Sequence, residues 1–380
     1  MRRTVLVLVL LLGLGLLLGV AGCGAATTTT VLSLTTTISP TTTTTEPPPT
    51  WVQLQSAGEA PSARCYQSMV YDSRSSKVIV LGGFDGTSWL KETWAYDPAG
   101  NMWANLTPPE PSEDSEESEE SAEPMEMPSS GGEIPMAYDL GTGMVMAYDG
   151  GIWSYDPAGS TWTELDPEGD LPPSRLGTCM VYDSSSGKVI IFGGTDMATC
   201  FNDMWAYDPA ANTWTELKPV GEVVPPGRSS ACMVYDAAGG QLILFGGMDV
   251  QFACFNDTWA YDLAANTWTS VNPAGEVPSA RNGACMIYDT ADGKAILFGG
   301  LDAEFACSND TWEYDPVANA WTERYPAGGS PSVRGRASLV YVDETEQMIL
   351  FGGWLLEAGP EGGLSGQTYF DDMWAYGVHL

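Results

Sequence analysis

One tryptophan spacing recurs along this chain and restricts its fold more than any other feature. Trp94, Trp153, Trp205, Trp259 and Trp312 each open a Trp-x-Tyr-Asp segment, and nine residues later each is followed by a second tryptophan, at Trp103, Trp162, Trp214, Trp268 and Trp321. Trp374 opens a sixth segment, W-A-Y-G, whose second tryptophan would fall at position 383 of a 380-residue chain. Trp51 is the reverse case: a W-V-Q-L segment like the W-T-E-L at Trp162 and Trp214, with no opener before it. The stretch behind it, Ala57 to Arg64, repeats Ala274 to Arg281 with one change. These observations predict a ring whose last repeat is completed by a strand from the first. Closure removes the unpaired sheet edge that an open stack of strands would expose.

The best-kept repeat is 53 residues long, read from the Gly-Gly pairs at Gly193, Gly246, Gly299 and Gly352. A period near fifty suits propeller blades, whereas helical solenoids repeat at shorter intervals. Each unit reads as four strands. In the unit after Arg175, Cys179 to Asp183 is a first strand and Ser184 to Lys188 a turn. Val189-Ile-Ile-Phe192 is a continuous apolar run, as expected of a strand covered on both faces. Gly193-Gly194 ends it, where backbone must approach closely or adopt positive φ. In Met204-Trp-Ala-Tyr207, Trp205 and Tyr207 share one face and Ala206 takes the other, which suits blades packed face to face. Asp208-Pro-Ala-Ala-Asn212 has turn chemistry, and Thr213 to Leu217 is the outer strand. No segment has a helical period.

Phe-Gly-Gly, then Asn-Asp-x-Trp-x-Tyr-Asp, then Trp-x-x-Leu resembles the kelch repeat, and the resemblance covers roughly residues 51 to 380. It implies an all-β propeller of six or seven blades, and the number of Trp-x-Tyr segments selects six, with the last blade closed by the strand at Trp51. One copy departs from the pattern. Between Met136 and Asp156 the chain has Tyr148-Asp149 in place of Gly-Gly and lacks the long loop before Trp153, so this is read as a trimmed second blade within the ring.

Residues 1–22 read as a secretory signal: Arg2 and Arg3, an apolar run from Val5 to Val20, and small residues before Cys23. The V-A-G-C ending resembles the bacterial lipobox, which implies cleavage before Cys23 and a lipid on its sulfur; a plain signal peptide with an incidental cysteine is the competing reading. The run is short for a retained membrane span. Residues 23–50 are threonine- and proline-rich and cannot bury a core, so they read as an extended, disordered linker. The expected location is outside the cell membrane, held by the lipid anchor.

A formal charge of −34 opposes binding to nucleic acid and to anionic lipid. Ten of the acidic residues, and no basic ones, fall between Glu110 and Glu133, which reads as a solvated, disordered surface insertion.

Eight cysteines suit an oxidising compartment. Cys179, Cys232 and Cys285 lie in first strands, and Cys200, Cys254 and Cys307 lie before third strands of the same three repeats. That co-occurrence predicts Cys179–Cys200, Cys232–Cys254 and Cys285–Cys307 disulfides; the alternative is that the strand cysteines are small buried apolar residues. Cys65 is left over as a free thiol. No Cys-x-x-Cys occurs and the histidines needed to complete a zinc site are missing, so no metal is expected.

The single histidine, His379, argues against Ser-His-Asp hydrolysis and histidine-ligated metals. It also rejects a copper enzyme of the galactose oxidase kind, whose site needs two histidines. The segment Ser154 to Trp162 faintly echoes the sialidase Asp-box but is one residue too long. Arg64, Arg175, Arg228, Arg281 and Arg334 recur at one place in the repeat, around one mouth of a central channel. They either form an anion-binding ring or each pair with a carboxylate such as Asp203, Asp257, Asp310 or Asp372, and five equivalent copies favour the second.

The loops after Gly-Gly differ in every blade and carry aromatics: Phe84, Trp89, Phe201, Phe252, Phe305, Trp354, Tyr369 and Phe370. Variable loops on a rigid frame are where recognition usually resides. Trp89, Trp354 and Tyr369 are the chosen contact residues. The expected function is therefore a monomeric, surface-anchored module that binds a protein or glycan, with no catalytic residue and no cofactor assigned. The alternative is a carbohydrate-active enzyme of sialidase, lyase or epimerase type. It would be marked by unpaired channel arginines beside a tyrosine or glutamate.

Overall fold

Six four-stranded antiparallel sheets follow one another around a central channel, each with its first strand innermost. The computed structural model describes residues 49–107, 127–128, 132–358 and 364–377. The expected signal segment, Cys23, nearly all of the linker, most of the acidic insertion and His379 lie outside the described residues. Among the described residues no helix forms. Blade 1 spans Ser68–Asn105, blade 2 Met136–Leu165, blade 3 Cys179–Leu217, blade 4 Cys232–Val271 and blade 5 Cys285–Arg324. Blade 6 takes three strands from the end of the chain, Ser338–Val342, Gln347–Phe351 and Met373–Gly377, and its outer strand, Thr50–Leu54, from the beginning.

The closure expected from the unmatched tryptophans is present. Thr50–Leu54 lies antiparallel to Met373–Gly377, with Trp51 opposite Tyr376 and Gln53 opposite Trp374. The Trp51 ring packs 5.0 Å from Phe298 of blade 5 and 4.9 Å from Tyr376. Its Nε1 donates to Thr311 Oγ1 of blade 5 at 3.2 Å. Blades 2 and 5 repeat the contact, Trp162 donating to Thr93 and Trp321 to Thr258. The strand from the start of the chain thus fills the role that a continuous outer strand fills elsewhere.

The apolar core is divided into six clusters, one at each junction between neighbouring blades, the junction of blades 6 and 1 included. The period-two pattern explains the division. In blade 3, Trp205 and Tyr207 pack with Val189 and Ile191 against blade 2, while Ala206, Ile190 and Phe192 face blade 4. The trimmed copy is a complete four-stranded blade 2, and its Tyr148 hydroxyl donates to Pro173 O at 3.1 Å.

The expected disulfides are a correction: Cys65, Cys179, Cys200, Cys232, Cys254, Cys285 and Cys307 are all free. Cys179 is paired with Phe192 across the inner hairpin, whereas Cys200 is bridged to Thr195, three residues further along. At about 3.3 Å per residue that displaces the two thiols by on the order of 10 Å, beyond disulfide reach. Each thiol instead turns to the next blade, Cys179 to Ala231 O at 3.2 Å and Cys200 to Met248 O at 3.7 Å. Cys232 and Cys285 repeat the first contact with Ala284 O and Ala337 O. The strand thiols are thus the buried small residues of the alternative reading, and burial pushes their ionisation well above the usual thiol range.

Candidate functional site

The face that carries the loops after Gly-Gly is fixed from beneath by the five repeated arginines. Arg228 is fully buried; its Nη1 and Nη2 donate to Asp257 Oδ1 and Oδ2 at 2.6 and 2.8 Å, and Nη1 also reaches Gly246 O at 2.9 Å. Its guanidinium stacks 4.3 Å from the Phe255 ring. Arg175, Arg281 and Arg334 grip Asp203, Asp310 and Asp372 in the same forked manner, and Arg64 pairs with Glu92 at 2.7 Å. Burial would push the Asp257 carboxyl up, but the hydrogen bond from Arg228 and its charge outweigh that and hold it below the usual range. The same carboxylates accept the indole N–H two residues on, as Asp257 does from Trp259 at 2.6 Å. The anion-binding role considered for these arginines is therefore corrected: their donors are spent inside the protein, clamping each loop to its blade. Phe201 and Phe370 belong to the same clamps, stacked on Arg175 and Arg334.

Two residues past each arginine the backbone turns left-handed and forms a collar around the channel. Ser230 N donates to Gly177 O, Gly283 N to Ser230 O, Arg336 N to Gly283 O and Tyr66 N to Arg336 O, at 2.7 to 3.1 Å. Tyr66, Gly177, Ser230, Gly283 and Arg336 all have φ between 53° and 61°. The collar positions differ from blade to blade, as Tyr66, Gly177, Ser230, Gly283 and Arg336. Arg336 is nearly buried, its Nη2 donates to Asn282 Oδ1 at 2.6 Å, and its Nη1 stands 3.7 Å from Glu133 Oε2. Its Nε finds no partner among the described residues, and its Cζ lies 5.2 Å from the Tyr66 ring. The Arg336 side chain crosses Gly283, where a Cβ would come 2.5 Å from Arg336 Nε, so any larger residue there would push the guanidinium out of its place. Burial pushes the Glu133 carboxyl up, against the pull of Arg336. Below the collar the channel narrows to a cavity of about 160 Å³ bordered by Gln67, Glu133, Cys179, Cys232 and Cys285. Sequence reasoning missed Arg336, although the contrast with Gly177, Ser230 and Gly283 in the aligned repeats carries the signal.

The three chosen contact residues share one side of this face. Trp354 and Tyr369 are directly opposed in an extra hairpin, Trp354–Ala358 with Leu364–Tyr369, inserted into blade 6. Phe84 lies 6.1 Å from Tyr369 and 5.2 Å from Trp89, and Trp89 lies 5.7 Å from Tyr66. The row runs from blade 6 across the closure to blade 1. Trp89 is the most open of the three at 38 % exposure; Trp354 is partly covered, its buried indole N–H having no partner among the described residues.

A second apolar group, only partly foreseen, occupies the loop tips of blades 3 to 5. Met197, Phe252 and Phe305 are exposed and have φ of 71°, 65° and 64°. Left-handed backbone costs a bulky residue on the order of 1–2 kcal/mol. Turn chemistry explains how it is held: Phe252 N donates to Asp249 O, and Asp249 Oδ1 accepts from Gln251 N and Ala253 N at 2.9 Å. It does not explain why a large apolar residue stands there.

A closed ring of six such blades, with clamped variable loops on one face, defines a β-propeller of the kelch type. The chain matches the family described as "KLHDC2/KLHL20/DRC7 Kelch-repeats domain" over residues 141–353 and "Attractin/LZTR1 beta-propeller" over residues 42–224. It belongs to the kelch-repeat family. Among relatives, it is 29 % identical over 224 residues to the Rab9 effector protein with kelch motifs of Xenopus laevis, covering 57 % of each chain. It is 27 % identical over 228 residues to Kelch domain-containing protein 3 of Bos taurus, covering 56 % of each. The match thus spans a little over half the length of these relatives.

Proposed function

We propose that this propeller is a protein-interaction module that recognises its partner through the loop face. The observation that carries the reading is the contrast within that face. The five repeated arginines are consumed in holding the loops, while the loop tips differ from blade to blade and present aromatic and apolar side chains to solvent. The kelch relatives agree with it, one of them being named as an effector of Rab9. Selection of displayed peptides on the immobilised protein, followed by hydrogen exchange with the selected binders, tests the reading. Protection should concentrate in residues 84–92, 248–256 and 301–309. Protection at the opposite mouth, or no binder at all, would count against it. The carbohydrate-directed alternative draws on Arg336, Glu133 and Tyr66, so a glycan array run in parallel favours it if glycans bind and Glu133→Gln abolishes their binding.

We further propose that the protein is exported and anchored by a lipid on Cys23. Metabolic labelling with palmitate should mark the full chain and not its Cys23→Ser variant; equal labelling of both would contradict this.

A further inference from the structure

We propose that the loop tips of blades 3 to 5 form a docking crest for a cationic protein segment bearing aromatic or aliphatic anchors. The proposal rests on the protein-binding reading and names the kind of partner it takes.

Three observations converge on the crest. First, Met197, Phe252 and Phe305 are 76 %, 55 % and 43 % exposed, and they come from three consecutive blades. The Phe252 and Phe305 rings lie 6.4 Å apart, so two blades contribute to one aromatic pair on the solvent side. An aromatic pair left uncovered where two blades meet points to an interaction site. Second, the backbone at these tips prefers a different residue. Blade 1 places Gly86, with φ of 97°, in its corresponding loop, whereas blades 3 to 5 hold methionine or phenylalanine at positive φ. Folding gains little from that choice, because much of each side chain stays open to water.

Third, the electrostatics select the occupant. The three loops, residues 195–202, 248–256 and 301–309, contain no lysine, arginine or histidine. They carry Asp196, Asp249, Asp302 and Glu304, and among the described residues none of these carboxylates lies within ion-pair distance of a basic side chain. A second copy of the chain would set carboxylate against carboxylate, and an anionic membrane would be repelled. A segment with lysine or arginine flanking apolar anchors would bury the phenylalanine pair and meet the carboxylates around it.

Fluorescence anisotropy tests this with three labelled peptides: one alternating lysine with phenylalanine and leucine, one with glutamate for lysine, and one with serine for the apolar residues. The lysine peptide should bind, and the other two should not. The Phe252→Ser, Phe305→Ser double variant, whose thermal unfolding checks that it is folded, should weaken binding at least tenfold. So should raising the salt from about 0.05 to about 0.3 M. No binding of the lysine peptide, equal binding of the glutamate peptide, or an unchanged double variant overturns the crest. So does self-association in sedimentation that the double variant abolishes, since the occupant is then a second copy. Binders from the peptide selection that ignore the double variant would sink the crest and leave the protein-binding reading standing. Absence of any loop-face binder would sink both.

Discussion

A buried tyrosine hydroxyl has a different value at different junctions of the ring. At the mouth opposite the loop face, a cavity of about 430 Å³ is bordered by the tyrosines of the six inner strands. Tyr288 Oη donates to Asp236 of the preceding blade at 2.5 Å, and Tyr182, Tyr235 and Tyr341 stand beside Asp139, Asp183 and Asp289 at the corresponding junctions. At the closure junction the carboxylate is replaced by Val342, and the Tyr71 hydroxyl is buried with no partner among the described residues. Tyr288→Phe should therefore cost about 1.5–3 kcal/mol, the value of a hydrogen bond to a charged group, whereas Tyr71→Phe should be nearly neutral or slightly stabilising. Urea denaturation of the two variants checks this; equal losses would contradict the pairing. The same scale shows what the sequence concealed. The five repeated arginines were visible as a column, but their pairing was one of two readings, and Arg336 escaped because it stands two residues beyond one of them. Cysteine positions were plain, yet co-occurrence within a repeat was mistaken for contact, because neighbouring blades provide the nearer partner.

Strand order, hairpin turns and the alternation of large and small faces were legible because each follows from period-two patterning and from turn residues at fixed offsets. The loops were not, since their shape depends on clamps between segments 28 or more residues apart, such as Arg175 with Asp203. These clamps give the fold an acid limit. Asp203, Asp257, Asp310 and Asp372 are held below their ordinary range by their arginines against the opposing effect of burial. A carboxylate depressed in the folded state contributes stability that is present above its unfolded value, about 4, and is lost as pH falls toward the folded value. Thermal midpoints should thus fall steeply below about pH 4. Asp257→Asn should be less stable at pH 7 and should shed part of that acid sensitivity. A wild type as stable at pH 3 as at pH 7 would rule the clamps out as the source.

At the level of the whole molecule, dividing the core among six junctions makes each blade depend on both neighbours, so the last junction must close for the first and sixth blades to keep their apolar faces covered. The tryptophan count gave that closure away: a strand with an outer tryptophan and no opener at one end, an opener with no outer strand at the other. What one sequence could not give is the distribution of side chains around the collar and the crest, because those depend on which loops the ring brings side by side. Closure also underlies every statement about a shared loop face and two distinct channel mouths. Its most direct measurement is a cross-link between Val52 and Ala375, which stand opposite each other where the two ends of the chain meet. With Val52→Cys and Ala375→Cys combined, mild oxidation should join the two peptides in a single monomer, detected by mass spectrometry, while the fold is kept. A folded protein in which those two positions never link would contradict the closed ring.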